Sequence, residues 1–174
     1  MNTNEKKSVP NLAPYNCGDI DISILANGTW THDGSPITRM SLVKLFAGVL
    51  ERDEAGDFWL VTPVEKARIF VEDVPFIAVK MEVEGSNKNQ IIHFTTNLDD
   101  KVSVGIEHPL VFRSRPNGDQ APYIMIRKGL EAITARQVWY ELADLFQYKD
   151  SQNSASLGVW SNGLFFSYDS NKDL

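Results

Sequence analysis

Arginine side chains in the C-terminal part of the sequence form the most prominent candidate for a chemical site. Between residues 110 and 136 five basic residues stand against two acidic ones, so the local charge is +3 in a chain of net charge −6. The five are Arg113, Arg115, Arg127, Lys128 and Arg136. Because a guanidinium group pairs with carboxylate and phosphate through two parallel hydrogen bonds, this cluster predicts an anion-binding face.

The strand pattern places several of these side chains on shared faces. Alternation puts Arg113 and Arg115 on one face of a strand, and Tyr123 and Arg127 on one face of the next strand. A helix that begins near Arg136 would add the positive end of its dipole. The predicted ligand-binding residues are Arg113, Arg115, Arg127, Arg136, Tyr123 and Arg39. The expected partner is a small anionic metabolite, such as a nucleotide, or an acidic segment of another protein.

Two alternatives to this anion site stay open. The arginines can form a solvated face that pairs with the acidic run of Glu51, Asp53, Glu54 and Asp57, since surface ion pairs are common and weak. An alternative site consists of His32 and Asp33, in the turn before the first helix, with Glu72 and Asp73, which precede Pro75. An imidazole beside a carboxylate near a helix N-terminus suits acid–base chemistry, which would make the protein an enzyme of unrecognised type.

Composition and motifs exclude several other classes of function. The net charge of −6 argues against duplex nucleic acid and anionic membranes as partners. Cys17 is the single cysteine, so an intrachain disulfide and a cysteine-rich zinc site are impossible. The phosphate-binding loop, the dinucleotide fingerprint, the metalloprotease helix and the hydrolase elbow are absent from the sequence, and we predict no cofactor and no metal. No stretch of about 18 apolar residues occurs, which favours a cytoplasmic protein.

The elements that position these residues are mainly strands. Alternating apolar residues separated by turn-forming clusters predict antiparallel strands at 19–24, around 30, and at 58–61, 67–71, 76–83, 91–95, 101–106, 110–115, 123–127, 157–160 and 164–166. A first helix is predicted over 39–50, capped by Thr38, with Val43 at the edge of a buried face of Leu42, Leu45, Phe46, Val49 and Leu50. A second helix is predicted to begin at Thr134, with Gln137 completing a capping box.

The two helix entries resemble each other, which indicates an internal repeat. Each predicted cap, Thr38 or Thr134, precedes an arginine, a helix that reaches a Leu-Phe pair, and a later strand that carries Trp59 or Trp160. We therefore predict an α+β fold of two repeat-like halves, each with antiparallel strands packed on one capped helix. The predicted divisions are a flexible arm at 1–16, an N-terminal half at 17–80 and a C-terminal half at 81–174.

Several motifs resemble a bacterial family, the domain-of-unknown-function family 1285, over nearly the whole chain from Cys17 to Phe166. The matching motifs are Cys17-Gly18-Asp19-Ile20-Asp21, Gly28-Thr29-Trp30, Gly34-Ser35-Pro36-Ile37, Trp59-Leu60-Val61-Thr62-Pro63-Val64-Glu65, Val71-Glu72-Asp73-Val74-Pro75-Phe76 and Leu157-Gly158-Val159-Trp160-Ser161. The resemblance implies a two-part α+β fold of repeated motifs and a suggested role in signal transduction, but no activity, substrate or catalytic residue. Together with the residue patterns, it favours a non-enzymatic protein that binds a ligand or a partner and has a regulatory role.

Overall fold

The protein is built mostly from short strands, as the alternating sequence requires. A computed structural model describes residues 13–115, 117–149 and 156–168. Its strands are β1 (Tyr15–Ile24), β2 (Trp30–His32), β3 (Ser35–Pro36), β4 (Leu50–Arg52), β5 (Phe58–Val61), β6 (Glu65–Val71), β7 (Phe76–Glu84), β8 (Ile91–Thr96), β9 (Lys101–Ser103), β10 (Leu110–Ser114), β11 (Gln120–Arg127), β12 (Leu130–Thr134), β13 (Gln147–Tyr148), β14 (Leu157–Ser161) and β15 (Leu164–Ser167). The α-helices are α1 (Met40–Gly48) and α2 (Arg136–Ala143), and Asn87–Asn89 form a 3₁₀ turn.

Two six-stranded sheets of the same topology contain the first twelve strands. The first has the order β3-β2-β1-β6-β5-β4, and the second, taken from its far edge, has the order β9-β8-β7-β12-β11-β10. Each sheet is antiparallel except at its centre, where β1 pairs with β6 and β7 pairs with β12 in parallel. The predicted α+β fold of two repeat-like halves is therefore confirmed in its coarse form, as a mainly β protein with two similar sheets. The prediction of purely antiparallel strands is wrong at these central pairs.

The repeat has a different register from the one predicted from the helices. Helix α1 lies between the third and fourth strands of the first sheet, whereas α2 follows the sixth strand of the second sheet. The two helices, and with them Arg39 and Arg136, are thus not equivalent positions of the repeat. Strand β7 runs across the division that the sequence placed at residue 80, and β1 begins inside the predicted arm, whose residues 1–12 lie outside the described ranges.

Neither helix has the side-chain cap that the sequence suggested. Arg39 is the N-cap of α1 and Ala135 that of α2, and neither makes a side-chain capping hydrogen bond. Thr134 cannot cap α2 because it still belongs to β12, where it pairs with Ala78. The buried face of α1 is also rotated from the prediction: Val43 and Ala47 are buried, while Leu45 is 63% exposed.

One main hydrophobic core joins both sheets to the helices. It contains Ile24 and Trp30 from the first sheet, Phe76 and Phe94 from the second, and Leu142 from α2, all at most 1% exposed. A smaller cluster of Val74, Ala121, Tyr123 and Ile133, with Ile77 packed against it, lies apart from this core, on the opposite face of the second sheet. Since apolar burial is the main favourable term in folding, the two halves stabilise each other through the shared core.

The third sheet, of order β13-β14-β15, packs on the second half. The Ser161 hydroxyl group accepts a hydrogen bond from the Ile92 amide at 3.0 Å and donates one to the Val104 carbonyl at 2.9 Å. The Gln90 side chain donates to the Trp160 carbonyl at 2.8 Å. These bonds fasten the β14–β15 hairpin to β8. Neither of the two described α-helices has the length and apolar composition needed to cross a bilayer.

Candidate functional site

Arg113 forms a bidentate ion pair with Glu131 on the outer face of the second sheet. Because β11 lies between β10 and β12, the guanidinium group of Arg113 passes over the ring of Tyr123, 3.7 Å from its centre, to reach Glu131. Both of its terminal nitrogens donate to the Glu131 carboxylate, at 2.8 and 2.7 Å. Burial lowers the pKa of Arg113, but the hydrogen bond and charge of Glu131, together with Tyr123 and Asp73, outweigh it, so the net pKa is above its ordinary value. Both terminal nitrogens of Arg113 are therefore engaged in this ion pair.

Tyr123 and Asp73 connect this pair to the strand linker between the repeats. The Tyr123 hydroxyl group lies 3.2 and 3.1 Å from the two Asp73 carboxylate oxygens, to which it donates. Burial, and next the Asp73 charge, raise the pKa of Tyr123 to about 12. Arg115 lies on the other side of Asp73, with its Nε atom 3.8 Å from the carboxylate. This nitrogen is buried and has no hydrogen-bond partner among the described residues.

Arg127 does not join the other predicted arginines. A register shift between Met125 and Arg127 turns the end of β11, and Arg127 lies over the Phe76 ring at 5.1 Å. Its Nη2 atom donates to the Ala47 carbonyl at the end of α1 at 2.7 Å, and its Nη1 atom lies 3.2 Å from the Asp100 carboxylate oxygens. The expectation that Arg127 shares a face with Tyr123 is therefore wrong, and Arg127 instead joins the two halves.

The predicted partners of the arginines also differ from the observed ones. Of the acidic run Glu51, Asp53, Glu54 and Asp57, Asp57 pairs with Arg68 at 3.2 Å and Asp53 accepts from the Trp59 indole at 2.8 Å. The arginines of the second sheet pair instead with Glu131, Asp73 and Asp100. These partners cannot be predicted from positions in the sequence, because each ion pair depends on which strands are neighbours in the sheet.

Arg115 and Arg136 meet at a cavity of about 360 Å³ between the two sheets. We call it the inter-sheet cavity, and it is lined by Ala26, Asn27, Ile77, Arg115, Ile133, Thr134, Ala135 and Arg136. Ala26 and Asn27 come from the β1–β2 turn of the first sheet, and the other lining residues come from the second sheet and the start of α2. Arg136 donates from Nε to the Tyr140 hydroxyl at 3.0 Å, and this contact raises the pKa of Arg136. Within the described residues, the terminal nitrogens of Arg136 have no recorded hydrogen bond.

The β1–β2 turn is shaped to form one wall of this cavity. Gly28 has φ +81°, and a Cβ atom there would lie 2.8 Å from Cγ1 of Ile77 and 3.1 Å from Nδ2 of Asn97. A glycine is therefore needed for the turn to approach the second sheet so closely. Beside it, the Asn27 side-chain oxygen accepts from the Thr29 amide at 3.0 Å, and the Asn27 NH₂ group is a donor with no hydrogen bond to another described residue.

The inter-sheet cavity differs in charge from the other cavities of the described residues. Of the five that we compared, it alone is lined by basic residues without an acidic one; the largest, about 500 Å³, has Glu107 beside Lys101 and His108. Its position at the start of α2 adds first-turn amides, which lack partners within the helix and favour anions. The Thr134 hydroxyl oxygen is buried with no hydrogen-bond partner in the described part of the chain.

Among the described residues, the members of the alternative site make separate contacts and do not form one cluster. His32 and Asp33 lie 3.6 Å apart, and their side chains are 61% and 73% exposed. Glu72 accepts from the Ala26 amide at 2.7 Å and so supports the turn beside the inter-sheet cavity, while Asp73 pairs with Tyr123. Arg39 is exposed at the start of α1. Within the described ranges, no group of three or more His, Cys, Asp and Glu side chains is arranged to hold a metal ion.

Sequence reasoning missed most of the cavity wall. Asn27 belongs to an Asn-Gly pair that is typical of a tight turn, Ile77 lies in a predicted strand, and Ile133 directly precedes the predicted helix cap Thr134. The Asn-Gly pair was the available signal, because a tight turn that carries a free amide can approach another sheet. The local sequence pattern does not predict that this turn packs against the second sheet.

The repeat architecture matches one family in both halves. The chain matches the N-terminal domain of DUF1285, a domain of unknown function, over residues 8–74, and the C-terminal domain over residues 75–168. The chain belongs to the DUF1285 family. The resemblance found in the sequence motifs is thereby confirmed. The junction between the two family domains falls in the linker between β6 and β7.

Two solved DUF1285 structures share this fold. A DUF1285 family protein from Silicibacter pomeroyi is 40% identical in sequence to this chain, with a TM-score of 0.83. The match covers 94% of this chain and 88% of the Silicibacter pomeroyi chain. A DUF1285 family protein from Shewanella baltica is 25% identical in sequence, with a TM-score of 0.56. This match covers 72% of this chain and 91% of the Shewanella baltica chain. No curated protein matches the chain.

Proposed function

We propose that this DUF1285 protein binds a small anion in the inter-sheet cavity and acts as a binding protein with a regulatory role in the cytoplasm. The observation that carries the proposal is the lining of the cavity, which includes Arg115 and Arg136 but no carboxylate, since the Asp73 carboxylate that pairs with Arg115 is not among the lining residues. The ligand would be a phosphate- or carboxylate-bearing metabolite. An acidic segment of a partner protein is the competing occupant.

The chemistry of the lining favours binding over catalysis. Guanidinium groups, a side-chain amide, a hydroxyl and aliphatic side chains hold and orient an anion, but they are poor proton acceptors at neutral pH. Asp73 lies behind Arg115, where its side chain is only 9% exposed. Asp73 therefore positions the guanidinium group and supports Arg115 as a ligand-binding residue.

A titration followed by amide NMR tests this proposal. Sodium phosphate is added to the full-length protein at constant ionic strength, and we expect shifts centred on Asn27, Arg115 and Arg136. Replacing Arg115→Gln or Arg136→Gln should weaken phosphate binding about 10-fold, because each removes a charge-assisted hydrogen bond. Arg39→Gln is the matched control, as an exposed arginine at the start of the other helix. The proposal fails if the cavity variants bind phosphate as tightly as Arg39→Gln.

A further inference from the structure

The floor of the inter-sheet cavity is apolar, which limits the kind of anion it suits. Ile77 and Ile133 are directly paired across the parallel strands β7 and β12, and both line the cavity. Ile133 is 4% exposed and belongs to the small cluster with Tyr123, which holds the floor in place. A fully hydrated ion would leave this aliphatic surface in contact with water, whereas an apolar group would cover it.

The polar groups are separated around that floor. Arg115 and Arg136 come from the end of β10 and the start of α2, while Asn27 comes from the β1–β2 turn of the other sheet. Because its oxygen accepts from Thr29, Asn27 offers an NH₂ donor to a ligand. The lining thus provides two cations from one half, an aliphatic floor and a neutral donor from the other half.

We infer that the ligand is a compact organic acid whose phosphate or carboxylate binds Arg115 and Arg136 and whose apolar body lies on Ile77 and Ile133. Asn27 donates to an oxygen of the same ligand and makes binding depend on both family domains. The cavity volume of about 360 Å³ is near the lower end of the range for small-molecule sites, so the body is about the size of one aromatic ring. This inference rests on the proposed function.

A comparison of phenyl phosphate with inorganic phosphate distinguishes a site for an organic acid from a site for any small anion. Both are titrated into the full-length protein by calorimetry or amide NMR at the same ionic strength. Phenyl phosphate should bind at least ~10-fold more tightly, because its ring covers apolar surface that inorganic phosphate leaves exposed. Ile77→Ala should reduce that preference to about threefold or less, because it removes part of the apolar floor.

A second variant tests the turn without removing core volume. Asn27→Asp keeps the oxygen that accepts from Thr29 but replaces the NH₂ donor by a negatively charged oxygen. It should weaken phenyl phosphate binding about 10-fold or more. Asn16→Asp is the matched control, since the Asn16 oxygen accepts from the Gly18 amide at 2.9 Å in the same local geometry and Asn16 does not line the cavity.

The outcomes are distinguishable. Tighter binding of phenyl phosphate that Asn27→Asp weakens and Asn16→Asp preserves would support the inference. Equal affinity for the two probes, with dependence on Arg115 and Arg136, would overturn the inference and leave the proposed anion site standing. If neither probe binds, both the inference and the proposed function are wrong. Equal effects of Asn27→Asp and Asn16→Asp would remove Asn27 and the first domain from the site.

Discussion

The two sheets carry related ion pairs beside an aromatic ring on the fifth strand of each repeat, but at different depths. In the first repeat Arg68 lies 6.0 Å from the Trp59 ring centre and pairs with Asp19, whose side chain is 71% exposed. In the second, Arg113 covers Tyr123 and pairs with Glu131, whose side chain is 11% exposed. The same type of pairing is therefore solvated in one domain and part of a packed cluster in the other.

The continuation of the sixth strand also distinguishes the repeats. After β6 the chain enters the linker to β7, and Asp73 of that linker reaches Tyr123 of the second sheet. After β12 the chain enters α2 directly, which places Arg136 beside Arg115. The basic lining of the inter-sheet cavity thus arises in the second copy, because there the sixth strand continues directly into a helix.

The largest effect that tests this comparison is expected from the two carboxylates. Glu131→Gln should lower the free energy of unfolding by about 3 kcal/mol, because it leaves a half-buried guanidinium group without its charge partner. The unfolding midpoint should fall by roughly 6–12 °C, measured by circular dichroism at pH 7. Asp19→Asn makes the same chemical change in the first sheet and should have a clearly smaller effect. Equal shifts for the two variants would show that depth does not distinguish the pairs.

The next effect concerns the hairpin that packs on the second domain. A Cβ atom at Gly158 would lie 2.2 Å from the Phe166 carbonyl oxygen of the paired strand, so Gly158→Ala must separate β14 from β15. We expect a loss of about 2 kcal/mol in thermal unfolding. Gly48→Ala at the end of α1 meets no atom within 4 Å and should be neutral or slightly stabilising. A neutral Gly158→Ala would contradict the close packing of this hairpin.

Alkaline pH should destabilise the second domain through Tyr123. Its pKa is about 12 in the folded protein, above the ordinary value of 10.0, so the folded state binds the proton more tightly than the unfolded state. Stability from this group is complete below pH 10 and is lost as the pH rises toward 12. Between pH 10 and 11 the loss should be about 1 kcal/mol in urea unfolding. Tyr123→Phe should remove that part of the pH dependence. If the free energy of unfolding of the variant still falls as steeply between pH 10 and 11, a group other than Tyr123 is responsible.

The sequence predicted the strands well where one face is buried and the other is solvated. Ile22 and Ile24 alternate with polar residues and are buried as the period requires. Strand β12 was missed because all of its five residues are buried, so Leu130–Thr134 show no alternation and were interpreted as an approach to a helix. Burial of both faces also explains why Thr134 was mistaken for a helix cap.

The candidate site was predicted in part, for a similar reason. Alternation places Arg113 and Arg115 together on one strand, but it cannot foresee the irregular end of β11 that sends Arg127 to α1. The cavity itself requires that the Asn27 turn and the start of α2 line the same space, which brings together distant parts of the chain and depends on how the two sheets pack. Local pattern gives the charged side chains, and only the fold decides which of them keep a free hydrogen-bond donor.

The smallest expected effect is a transition at acidic pH in the first domain, which corresponds to the alkaline transition of Tyr123 in the second. The Trp59 indole donates to Asp53, and this bond lowers the pKa of the Asp53 carboxyl group. The bond is therefore present above the ordinary carboxyl range and is lost as the pH falls through the lowered pKa. We expect the Trp59 indole NMR signal to move below about pH 4 while the protein stays folded, because Asp53 is at the surface. Asp53→Asn should abolish the transition. If the Trp59 signal moves only with global unfolding, the exposed aromatic contact of the first sheet is as cooperative as the buried Tyr123 contact of the second, and the contrast between the domains disappears.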